Sequence, residues 1–145
     1  MNKQERIQTI QTIRKRTKPA RILSAVVTGG AFLAAHFFDQ SIWSMLVLIC
    51  ALAVSGVMLG RESFEISRLS DSTRAKWLVQ LRSIMGFGII SLMLLLIVTT
   101  ELRDDTDMAL LYVAGFMLIG IVIEIVLEYR IHRADPEQPM SKEYR

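Results

Sequence analysis

The chain is poor in the residues from which most catalytic and cross-linked folds are built. It has one cysteine, Cys50, so no disulfide can close within it. That thiol lies in an apolar run and is expected to be a buried structural one. There are two histidines, His36 and His132, and neither stands in a spacing that gathers metal ligands. No glycine-rich phosphate loop or dinucleotide fingerprint is present, and no serine is set against a histidine and a carboxylate. These absences predict no metal, no cofactor and no enzymatic reaction.

Charge is also missing, but only locally. Four stretches are almost free of it: Ile22 to Phe38, Ile42 to Gly60, Ser83 to Thr100, and Met108 to about Leu127. Each approaches the ~20 residues a helix needs to cross ~30 Å of hydrocarbon. From Ile84 to Thr100 no charged residue interrupts any face, whereas a helix of a soluble bundle carries a polar stripe. Backbone polar groups in lipid must be satisfied within the segment, so the spans should be helical. Continuous rather than alternating apolar runs argue against a β-barrel. The fold class expected is therefore all-α, a polytopic membrane protein whose four transmembrane helices form two antiparallel hairpins. Ala34-Ala35-His36 is the nearest approach to a leader-cleavage site. No soluble domain follows it, so the first span is expected to stay in the membrane.

What is abundant is basic charge on one side. Lys3, Arg6, Arg14, Lys15, Arg16, Lys18 and Arg21 precede the first span, and Arg61, Arg68, Arg74, Lys76 and Arg82 lie between the second and third. Arg130, Arg133, Lys142 and Arg145 follow the fourth, and only Arg103 falls in a short turn on the other side. Sixteen of seventeen basic residues thus share one side, which the positive-inside rule makes cytoplasmic. Both termini are expected there, in a bacterial inner membrane. The net charge of +3 is a consequence of this topology and calls for no nucleic-acid partner. The partners expected are the lipid bilayer and a membrane protein or a second copy of the chain.

Three parts lie outside the spans. In the lead segment, residues 1–21, Ile7, Ile10 and Ile13 recur three apart among basic residues. Two readings stand side by side: an amphipathic helix on anionic headgroups, or a solvated basic tail that fixes topology. Pro19 is expected to separate this segment from the first span. The connection 61–82 is expected to be helical, turning near Asp71, with Ser70 or Asp71 capping the third helix. The tail, 134–145, is polar, holds Pro136 and Pro139, and is expected to be disordered.

Few residues in the spans are costly enough to need a reason. Glu124 is the clearest, set among Ile121, Val122, Ile123, Ile125 and Val126 about one turn inside the cytoplasmic end. Such a carboxylate either carries a proton or cation, or pairs with Arg21, Arg61 or Arg82 from a neighbouring helix. His36 is expected to be interfacial, near Asp39 or Glu101. Small residues mark candidate helix-packing faces: Gly29 and Gly30 on the first span, Gly56 and Gly60 on the second, Gly115 and Gly120 on the fourth. Trp43 and Trp77 fall near span ends, where indole rings anchor at the interface. The function expected is a non-enzymatic accessory or scaffold protein of the cytoplasmic membrane. The alternative is a small oligomeric transporter or channel using Glu124, and a lysis-related pore is a third and weaker reading.

Overall fold

The computed structural model describes residues 2–37, 42–99, 106–140 and Glu143. Among the described residues four helices follow one another: α1 (Lys3–Phe37), α2 (Ile42–Ser67), α3 (Thr73–Thr99) and α4 (Thr106–Ala134). All four are long and apolar enough to cross a membrane, with best windows of mean hydropathy 1.4, 2.4, 2.3 and 2.6 in chain order. Their apolar side chains face outward: Leu23, Val26, Ile84, Leu111 and Leu118 are each more than half exposed. That is the inverse of a water-soluble packing pattern. The short turns expected around Asp39 and Glu101 lie outside the described residues.

The helices are longer than the spans. At ~1.5 Å per residue the 26 residues of α2 reach about 39 Å, against ~30 Å of hydrocarbon. The excess lies at the polar end. There α2 closes with tightened i→i−3 bonds: the N–H of Leu69 donates to the Ile66 carbonyl and that of Ser70 to Ser67, both at 3.2 Å. The connection turns at residues 68–72, as the sequence suggests. The cap of α3 is Ser72, whose carbonyl accepts from the Lys76 N–H at 2.9 Å. Ser70 and Asp71, expected to cap, are engaged elsewhere.

Two cores join the helices among the described residues. One joins α1, α2 and α3 through Ala31, Ala35, Leu48, Ala51, Leu52 and Val98. The other lies at the polar end and takes a residue or more from all four helices: Ile10, Ile66, Leu78, Val79, Leu127 and Ile131. Neighbouring helices pack in sequence, α1 on α2, α2 on α3 and α3 on α4, while α2 and α4 scarcely approach.

The lead segment therefore follows neither reading offered by its sequence. Ile10 is fully buried, with Ile7 and Ile13 packed beside it. The isoleucine stripe is the inner face of a helix docked on its own protein, neither laid on lipid nor solvated. Pro19 does not separate it from the first span, because α1 runs through Pro19 unbroken. A proline inside a helix removes one backbone bond and costs ~3 kcal/mol or more. Contacts on both sides offset that cost: the Ile10 core below, and the Ser55 contacts of Ser24 and Thr28 above.

Candidate functional site

The polar end is closed by an ion cluster that is buried at Arg6 and Asp135 and exposed at Asp71. Arg6, at the end of the first turn of α1, has no exposed surface. Its Nη1 donates to Asp135 Oδ2 at 2.9 Å and its Nη2 donates to Asp71 Oδ2. Asp135 Oδ2 also accepts from Ser70 Oγ at 2.6 Å and from the Asp71 N–H at 3.2 Å, and its Oδ1 accepts from the Glu137 N–H at 3.2 Å. Three segments distant in sequence thus meet: the lead helix, the α2–α3 turn and the residues beyond α4. Desolvation pulls the Arg6 pKa down, but the Asp135 hydrogen bond and the Asp135 and Asp71 charges outweigh it, so Arg6 is held above its usual range. Desolvation likewise pushes Asp135 up. The Ser70 and Arg6 hydrogen bonds, the Asp71 N–H and the Arg6 charge overcome it and hold the carboxyl below the usual range.

Composition gives the tail as disordered. In the structure Asp135 and Gln138 are buried, and Lys3 Nζ reaches Glu143 Oε1 at 2.8 Å. The helix stops where it does because Asp135 precedes Pro136, and that position disfavours helical backbone. Released from the helix, the Asp135 carboxylate turns into the cluster.

A second polar layer lies where the charged ends give way to the apolar stretches. Glu62 of α2 is buried and is ringed by α1: Thr17 Oγ1 donates to it at 2.8 Å, Arg21 stands at 3.5 Å and Arg14 at 3.8 Å. Across the bundle Arg82 of α3 meets Glu128 of α4 at 3.3 Å. One turn further into α1, Ser24 Oγ donates to Ser55 Oγ at 2.6 Å, and Thr28 Oγ1 shares a 2.8 Å bond with the same oxygen. Between the four helices at this level is a cavity of about 440 Å³. Its lining includes Arg14, Arg21, Glu62, Arg82 and Glu124 and is otherwise largely apolar, with Leu59, Ile90, Phe116 and Gly120 among the rest.

Glu124 thus lines a cavity with three arginines. Of its expected partners, Arg21 contacts Glu62 and Arg82 contacts Glu128. The six glycines divide. A Cβ at Gly56 would sit 2.8 Å from the Phe87 ring, so α3 is packed directly on Gly56. At Gly29, Gly30, Gly60, Gly115 and Gly120 a Cβ meets nothing within 4 Å, so none of these five is a close-packing point within the chain. Trp43 and Trp77 are both largely exposed. His36 stacks on Phe32 at 6.0 Å between ring centroids, and Asp39 and Glu101 lie outside the described residues. Cys50, expected to be buried, is exposed on α2.

Arg6, Glu62 and Asp135 are the residues that the sequence did not single out. For Glu62 a signal was present: Ser55, Leu59, Glu62 and Ile66 follow at i, i+4, i+7 and i+11, an inward stripe on α2. For Arg6 and Asp135 there was none, because their partners lie 129 positions apart. The chain matches no protein-family model, no curated protein and no solved structure.

Proposed function

We propose that the chain is a non-enzymatic accessory or scaffold protein of a bacterial inner membrane, crossing it as two antiparallel hairpins with both termini in the cytoplasm. The bias of basic residues to one end supports that orientation. The observation that carries the scaffold reading is an exposed aromatic–arginine pair on a rigid support. The Arg68 guanidinium lies 5.3 Å from the centroid of the Phe64 ring, and that ring is half exposed beyond the apolar part of α2. The Ile10 core and the Arg6 cluster fix the helix ends beneath it. Aromatic and arginine side chains held without loss of further entropy are the usual anchors of protein interfaces. Affinity capture in mild detergent tests the reading. A reproducible co-purifying protein should be lost with Phe64→Ala and Arg68→Ala, while the α-helical signal is kept. Repeated recovery of the chain alone would overturn it.

A second reading rests on Glu124 in the four-helix cavity beside Arg21 and Arg82. There the chain acts as a small oligomeric transporter, and Glu124 binds a proton or cation. Glu124→Gln should abolish proton-coupled flux in liposomes, and unchanged flux removes this reading.

A further inference from the structure

We propose that the cavity and the basic groove beside it form a binding site for an acidic phospholipid. The lipid phosphate is seated against Arg14, Lys18 and Arg21, and an acyl chain lies along the cleft between α2 and α4. The proposal does not rest on the scaffold reading.

The shape is that of an amphiphile site. The cavity is walled by Leu59 of α2, Ile90 of α3, and Phe116 and Met117 of α4, which form an apolar slot between those helices. Gly86 and Gly120 widen it, since a Cβ at either would meet no atom within 4 Å. The charged part of the lining lies at the level where the apolar run of α1 begins, directly after Arg21. For a helix entering a bilayer at Ile22, that is headgroup depth.

The charge points to an anion. Arg14 and Arg21 line both the cavity and a groove along α1 beside it, which adds Lys15 and Lys18. Arg14, Lys18 and Arg21 stand at i, i+4 and i+7, on one helix face. Counting Arg82, five cations surround the site, against the three carboxylates Glu62, Glu124 and Glu128. Buried Glu62 acts as a brace here: it draws Arg14 and Arg21 to one side of α1, next to Lys18. An acidic phospholipid offsets the excess positive charge. A zwitterionic lipid with the same chains fills the slot but leaves that charge uncompensated.

Native mass spectrometry of the full chain, released from micelles containing phosphatidylglycerol or phosphatidylcholine of identical acyl chains, tests the assignment. A single phosphatidylglycerol adduct is expected to survive where phosphatidylcholine does not. Lys18→Gln and Arg21→Gln, both at exposed side chains, should each lower its retention about fivefold, the scale of one basic group at an anionic surface. Gly120→Leu fills the slot without changing charge and should lower retention as well. Arg130→Gln with Arg133→Gln removes two charges elsewhere, twice the charge lost in either single variant, and should leave it unchanged. Thermal unfolding of each variant confirms that the fold is kept. Equal retention of the two lipids, an equal loss in the Arg130/Arg133 control, or displacement of the adduct by millimolar inorganic phosphate would each overturn the proposal. The last outcome would make it a site for free anions.

Discussion

The Arg6 guanidinium donates to the Asp135 carboxylate at 2.9 Å across 129 positions of sequence, and Arg6 is wholly buried where it does so. A buried pair of this kind adds little net stability over an apolar replacement, but removing one partner strands the other. Its more specific effect is to fix which segments meet. The register of α1 against α2 is held separately, by Thr17, Arg14 and Arg21 on Glu62 and by Ser24 and Thr28 on Ser55; the pair ties that helix to the residues beyond α4.

Breaking the pair should therefore release the tail before it unfolds the spans. Arg6→Ala leaves Asp135 buried against Ser70 without its cation, and a loss on the order of 3 kcal/mol is expected at this end. Limited proteolysis in detergent should show new cleavage after Arg133, with the α-helical signal nearly unchanged. Arg6→Met paired with Asp135→Leu should recover part of the loss, because it removes both charges together.

Acid should do the same within a defined window. The Asp135 carboxyl is held below its unfolded value, which is ~3.9. Its contribution is therefore complete above about pH 4 and is lost as pH falls through the folded value. Arg6, held above its usual range, stays charged throughout. A spin label at Glu137→Cys, with Cys50→Ser, should report an ordered tail from pH 8 down to about pH 4 and lose that order only as pH falls further, through the lowered folded value. In Asp135→Asn the acid transition should vanish. A transition centred near pH 6 would point to another group.

Gly56 should be the intolerant glycine. Its missing Cβ is the space that the Phe87 ring occupies, 2.8 Å from the Cβ position. Gly56→Leu should cost about 1–3 kcal/mol through overpacking of α2 on α3, and Phe87→Ala in the same chain should relieve it. Gly60→Ala, with open space around it, should be neutral or gain up to about 1 kcal/mol from helix propensity. Denaturant titration of the folded protein in micelles measures all three.

These outcomes bear on what the residues alone could convey. Four spans and the turn near Asp71 were legible, because charge-free length and capping chemistry are local properties. GxxxG spacing at Gly56 and Gly60 was legible too, yet only Gly56 packs closely within the chain, since spacing does not tell which face a neighbour takes. The isoleucine stripe announced a helix with an apolar face but not what it faces. Lipid, water and the protein's own core are all compatible with Ile7, Ile10 and Ile13. The polar composition after Ala134 suggested disorder because Asp135 is costly to bury alone. Only its meeting with Arg6 and Ser70 makes that burial favourable, and no local pattern encodes such a meeting.

The destination of that stripe can be tested directly. If the lead helix docks on Ile66, Leu78 and Ile131, its order should not depend on the charge of the surrounding lipid. A spin label at the exposed Gln8, with Cys50→Ser, should be equally immobilised in nanodiscs of neutral and of acidic phospholipid. Ile10→Ala removes a fully buried side chain from that core and should cost about 2–4 kcal/mol. It should free the label in both lipids alike. A helix lying on headgroups behaves otherwise: its label is ordered in acidic lipid, loosens in neutral lipid, and responds to Ile10→Ala by only a fraction of that amount, because one of three isoleucines leaves a shallow interface rather than a closed core.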